Sequence, residues 1–241
     1  MRCDSVRAAA CQVLLLALLT GVCSGQGTVQ VSFAPSFRGA ALEFDTTVYR
    51  TTRGADVTVS MLKFYVSNLE LRGRSDTVRL AGEHFLMDLS DPDRMAVSMR
   101  APSGTYNALR FTIGVDSSLN ESGPREGALD PRHGMYWTWA TGYIFSKIEG
   151  TVTTPQLSRR MFEIHIGGFK APCQNTVTID VPFTHPVKVA DQQMDIVIDV
   201  AVDAFFDADG GFDIAARPSV TDARQAVDVA PRWRKMFRAN E

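Results

Sequence analysis

The chain reads as an all-β protein: an antiparallel β-sandwich or barrel with Greek-key connections and a short C-terminal helix. Three observations lead there. Apolar residues recur at every second position through much of the chain, the period of a half-buried strand. The alternating runs are short and bounded by Gly, Pro, Asn and Asp, which favour turns. No helical period emerges before about Thr221.

Val29, Val31 and Phe33 open the alternation, followed by Val57, Val59 and Met61. That second run continues through Phe64 and Val66 to Leu69 and Leu71 with its parity switching twice, which predicts a bulge or bend in one long strand. Leu109, Phe111, Ile113 and Val115 form a further set, as do Phe162, Ile164 and Ile166, and then Val177, Ile179, Val181 and Phe183. Met194, Ile196, Ile198, Val200 and Val202 alternate with Asp195, Asp199 and Asp203, so this strand has a wet face. From about Thr221, residues Ala223, Val227, Trp233, Met236 and Phe237 approximate a helical stripe interrupted by Pro231, with Arg232, Arg234, Lys235 and Arg238 as its solvated face.

Residues 1–25 read as a secretory signal peptide. Arg2 and Arg7 precede the apolar Val13–Leu19 stretch, and Val22-Cys23-Ser24-Gly25 supplies small residues for cleavage. The apolar stretch is shorter than the roughly 20 residues needed to span a bilayer. Residues 26–241 form the mature domain, expected in the periplasm or secreted, with outer-membrane or surface association if Cys23 carries a lipid. Cleavage near Ser24 or Gly25 is the preferred alternative to that anchor, because Val22 is bulky for a lipidation motif. Either way Cys173 is left without an intramolecular disulfide partner.

With 45% hydrophobic and 22% charged residues the chain can bury a core, which excludes wholesale disorder. Its 25 Lys and Arg against 27 Asp and Glu leave no basic excess to attract nucleic acid. No Gly-x-Ser-x-Gly elbow, phosphate loop or dinucleotide fingerprint is present, which argues against an autonomous enzyme. Asp207–Asp213 resembles a calcium loop but lacks the distal Glu, and reads as a tight acidic turn. Asn120-Glu121-Ser122 is a formal glycosylation sequon.

Asp116–Gly134 carries no period and is longer than most structureless connections, which marks it as functional or disordered. It runs into His133-Gly134-Met135-Tyr136-Trp137-Thr138-Trp139. In an extended strand beginning at His133, that imidazole and the indoles of Trp137 and Trp139 would share one face. His165 lies opposite Phe162, Ile164 and Ile166 on its strand. Two imidazoles from distant strands would suit copper or zinc, whereas a core plug of packed aromatics is the plainer reading of the same residues. His84 is a weaker candidate ligand, and His185, beside Pro186, reads as a surface residue.

Several blocks occur in order along the mature chain: Leu62–Leu69, Pro102–Tyr106, Phe111–Asp116, Gly127–Pro131, Gly134–Trp139, Gly142-Tyr143, Glu149-Gly150 and His165–Gly168. Together they resemble the MbnP-like copper-binding family. The resemblance implies an exported β-sandwich that binds copper, partnered by a MauG-like dihaem cytochrome c peroxidase that in some members oxidises a tryptophan to kynurenine. Carried over, the tryptophan is Trp137 or Trp139, the histidines are His133 and His165, and the role is copper acquisition, storage or delivery. The competing expectation is a metal-free module in which Tyr136, Trp137, Trp139 and Tyr143 form an aromatic platform for a sugar or a partner chain.

Overall fold

The computed structural model describes residues 25–74, 76–137 and 142–240. The signal peptide with Cys23, and Trp139, lie outside the described residues. Nine long strands carry the fold: β1 (Gln26–Phe37), β2 (Asp56–Gly73), β3 (Thr77–Asp88), β4 (Ala96–Pro102), β5 (Gly104–Ile113), β6 (Gly142–Thr154), β7 (Leu157–Gly167), β8 (Val177–Val189) and β9 (Met194–Ala201), with a short β10 (Phe237–Ala239) near the C-terminus. They form a two-layer sandwich. The smaller sheet runs β10–β9–β1, with β4 also paired to β1; the larger runs β8–β5–β2–β6–β7, with β3 on the other side of β2.

The alternation does what the sequence predicts. Val29, Val31 and Phe33 point inward from β1, and Ile196, Ile198 and Val200 from β9, against Phe64, Phe111, Phe162, Ile164 and their neighbours on the larger sheet. Phe33 meets Phe64 and Phe111 edge to face, with centroids 5.4 and 5.6 Å apart, the geometry favoured by aromatic quadrupoles. In β2 the ladder shifts register between Val59 and Met61 and again between Ser67 and Leu69, and Asn68 takes a positive φ of 50°. These are the two parity switches. The first admits Leu62 to the core and leaves Met61 only half-buried.

Four expectations are corrected. Pairing is not wholly antiparallel: β1 runs parallel to β9, with Val29 opposite Met194 and Ser36 opposite Ala201. Asp203 is not on the wet face of a strand, because the chain turns at Ala201 into a helix over Val202–Asp207 that buries Phe205 and Phe206. The C-terminal segment forms a 3-10 helix over Ala230–Lys235 and then β10, which pairs with β9. Pro231, lacking an amide hydrogen, fits only the start of that helix, and Trp233 closes the core against Phe64, Phe205 and Phe237. Arg232 is not wholly a solvated face, because its guanidinium donates to the carbonyls of Phe205 and Ala208 at 2.9 and 3.0 Å.

Candidate functional site

The larger sheet has a second buried face. Tyr65, Leu86, Val115, Leu129, Met135, Trp137, Tyr143, Ile144 and Phe145 form a separate apolar cluster on its outer side. Asp116–Gly134 roofs this cluster, and it is ordered instead of structureless. It contains a helical turn at Ser117–Glu121 and 3-10 turns at Gly127–Leu129 and Pro131–His133. Buried Asn120 ties the roof down: its amide donates to the Val115 carbonyl at 2.9 Å, and its side-chain oxygen accepts from the Tyr143 amide at 2.8 Å. The glycosylation sequon is thus consumed in packing.

The 3-10 turn overturns the extended strand drawn through His133. Gly134 follows in the left-handed region at φ 72°, which only glycine adopts freely, and among the described residues of this segment Tyr136 and Trp137 pair with the edge of β6. His133 therefore points elsewhere: its Nε2 lies 3.0 Å from the Gly127 carbonyl, and it lines a cleft with Phe85, Met87 and Arg94. His84, on β3, faces the Asp116 carboxylate at 3.6 Å and lines a different cleft with Leu119 and Leu129. His185 lines a third, with Phe183 and Ile196.

His165 does leave the core face of β7, as its parity predicts. It is 8% exposed, and its Nε2 lies 2.7 Å from Glu149 Oε1 on β6. The Lys147 ammonium is 3.6 Å from the same oxygen. Lys147 stands opposite both His165 and Lys63, and Lys63 stands opposite Asp88, its ion-pair partner at 2.9 Å. A half-buried row of charge thus crosses β3, β2, β6 and β7. The His165 hydrogen bond, against the opposing pull of burial, and the neighbouring Lys147 hold the Glu149 carboxyl below its ordinary range. Burial first, then Lys63, pushes the Lys147 ammonium below its usual value despite the attraction of Glu149.

Trp137 packs against the end of β7. A Cβ placed on Gly167 would sit 2.5 Å from Cζ3 of the indole, so the benzo edge of the ring lies directly on the strand two residues beyond His165, past a register irregularity between Ile166 and Gly167. Trp137 is 3% exposed, and its Nε1 has no hydrogen-bond partner. The Tyr65 hydroxyl is equally orphaned, and burial, reinforced by Tyr143 and Asp130, pushes its pKa far upward. Unpaired buried donors of this kind are uncommon and each calls for a reason.

The structure brings together His165, Glu149 and Lys147, sets Trp137 against Gly167 two residues along the strand, and does not bring His133 to them. The cleft of His133 lies against β3, and β2 and β6 intervene before β7. Two imidazoles so separated do not form one metal pocket, and among the described residues no group of three or more His, Cys, Asp or Glu side chains gathers as a ligand cluster. Of these side chains only the His165 imidazole offers a lone pair suited to copper, since the Trp137 Nε1 carries a hydrogen and is a donor only, so the residues as they stand do not make up a copper centre. Glu149 was missed because sequence parity locates a side chain on a face without saying what stands opposite. Gly167 was the available signal, since glycine inside a strand marks a close approach.

Cys173 is free. The Asp207–Asp213 turn is closed by its own contacts, Asp207 with Arg38 and Asp213 with Arg53. Among the described residues no helix is long and apolar enough to cross a membrane.

A comparison with curated proteins finds no match. Among solved structures the chain is similar to MbnP from Methylosinus trichosporium, with a TM-score of 0.47 and 17% identity over 70% of this chain and 76% of that one. The family model described as MbnP matches residues 26–222, most of the chain, and the protein belongs to that family.

Proposed function

We propose that this chain is an exported, non-enzymatic copper-binding protein that acquires, stores or delivers the metal, with its site on the outer face of the larger sheet. Family membership links it to a methanobactin-related system and supports the copper reading. The observation that carries the location is the placement of the Trp137 indole on Gly167, two residues along the strand from His165, with Nε1 buried and unpaired. Imidazole is a good ligand for copper. Oxidation of the neighbouring tryptophan to kynurenine by a MauG-like dihaem cytochrome c peroxidase would add an aromatic amine and a carbonyl, turning a packed ring into a second donor. Trp139 is the other candidate for that modification.

The aromatic-platform alternative is disfavoured on burial. Trp137 and Tyr143 are enclosed under the roof, and Tyr143 packs edge to face against Tyr65 and Tyr136, so they offer no flat exposed surface for a sugar ring. The test is metal analysis of copper-loaded wild type and His165→Ala, together with tryptic mass spectrometry of protein from its native source. The proposal expects copper to be lost in the variant, and a Trp137 peptide that has lost a carbon and gained an oxygen. Undiminished copper in His165→Ala overturns the location.

A further inference from the structure

The β6–β7 hairpin carries an open sheet edge away from the charge row and the aromatic roof. The short strand Ser219–Val220 pairs with β7 in parallel at Glu163 and Ile164, and the Glu163 amide donates away from β6 to the Pro218 carbonyl at 2.8 Å. Alternate residues of an antiparallel strand send both backbone groups to the same neighbour, so the amide and carbonyl of Met161 point to that side as well. Among the described residues no backbone partner joins Leu157–Phe162 there. Ser158, Arg159, Arg160 and Met161 are all exposed, Met161 to 77%. Neither guanidinium has an ion pair or hydrogen bond among the described residues, since Arg160 stands opposite Val152 and Met161 opposite Thr151, whose hydroxyl is taken up by Thr58 at 2.6 Å. Arg159 lines a cleft with Val48, Thr58 and Thr151 on the outer side, whereas Arg160 shares the parity of Phe162. Uncompensated positive charge thus flanks the open edge on both faces.

We infer that the Arg159–Met161 edge of β7 is a docking site for an extended acidic segment of a partner protein, which adds a strand beside the hairpin. Strand addition draws its affinity from main-chain hydrogen bonds and its specificity from alternate side chains. Here the specificity is for two adjacent carboxylates, one toward Arg159 and one toward Arg160, with an apolar side chain two positions along to cover Met161. A second copy does not fit, because edge-to-edge pairing of two such strands sets arginine against arginine, the arrangement by which natural edges resist self-association. The acidic groups near the patch limit where the carboxylates sit. Glu163 is held by the Ser219 hydroxyl at 3.1 Å, and Asp45 lines the same cleft as Arg159, so the partner's charge belongs over the edge at Arg159 and Arg160, outside that cleft.

The test is nitrogen-15 NMR of the folded protein titrated with a blocked hexapeptide, Thr-Val-Glu-Glu-Val-Thr, whose symmetric pattern suits either strand direction. The expected result is a shift of the Met161 amide and of both arginine side-chain signals, slower solvent exchange at Met161, and weakening as salt is added. The matching peptide with two lysines in place of the two glutamates should leave those signals unmoved. A protein carrying both Arg159→Glu and Arg160→Glu, two exposed positions outside the core, should lose the acidic peptide and take up the lysine one. The inference is overturned if the acidic peptide leaves Met161 unmoved, if either control peptide or variant responds as the wild-type pair does, or if the same signals shift with protein concentration alone, which would assign the edge to a second copy.

Discussion

The two faces of the larger sheet bury their aromatic side chains under different rules. Between the sheets, Phe33, Phe64, Phe111, Phe237 and Trp233 pack ring on ring, and every strand contributes alternate apolar residues. On the outer side, Tyr65, Trp137, Tyr143 and Phe145 are just as enclosed, yet they depend on a long irregular roof, and the same sheet carries the charged row of Lys63, Lys147, Glu149 and His165. Each region contains a buried tryptophan with an unpaired Nε1. Trp233 is surrounded by aromatic rings, whose faces accept weakly from N–H groups, whereas Trp137 lies on backbone at Gly167. The comparison separates a core that specifies the fold from a cluster that keeps polar groups at a cost, which is the mark of a site.

Truncation should separate the two regions most widely. Trp233→Ala should cost about 3–5 kcal/mol in urea unfolding, while Trp137→Phe, which removes the orphaned donor and keeps much of the ring, should change stability by less than about 1 kcal/mol and still remove any kynurenine signature carried at position 137. Equal losses would erase the distinction. Gly167→Val comes next: its side chain would meet the Trp137 ring and the Tyr143 carbonyl, the latter 2.8 Å from a Cβ, and should cost roughly 1–3 kcal/mol by overpacking with a change in tryptophan fluorescence. Unaltered fluorescence would mean that the indole does not rest there.

Acidification sharpens the same contrast with a smaller effect. The Glu149 carboxyl has a folded pKa below its ordinary value of 4.5, so its contribution is complete above that value and is lost as pH falls through the lowered folded pKa. Urea midpoints followed into the acid range should decline more steeply for wild type than for Glu149→Gln. Identical slopes would show that the His165–Glu149 contact carries no stability.

Much of the fold was legible because a period of two reports which face is buried, and the parity switches in β2 located real bulges. Parallel pairing of β1 with β9 was not legible, since alternation says nothing of which distant strand lies alongside. In the site, parity placed His165 outward correctly, yet its partner depends on register. Continuing the Thr154–Leu157 pairing along the hairpin would set His165 opposite Ser146; the irregularity between Leu157 and Arg160 shifts it to Lys147, which brings Glu149 within reach. His133 failed for a local reason. Asp130 accepts from the Arg132 amide at 2.9 Å, Pro131 starts the 3-10 turn and Gly134 ends it, so Asp-Pro and Gly punctuation outweighed the apparent continuity of the aromatic run.

The separation of the two imidazoles makes one measurement decisive. Copper bound per chain should be determined side by side for wild type, His165→Ala and His133→Ala after loading and removal of free metal. The account predicts that His165→Ala loses the bound copper and His133→Ala retains it. Retention by His165→Ala together with loss by His133→Ala would contradict it and move the site to the cleft beside β3.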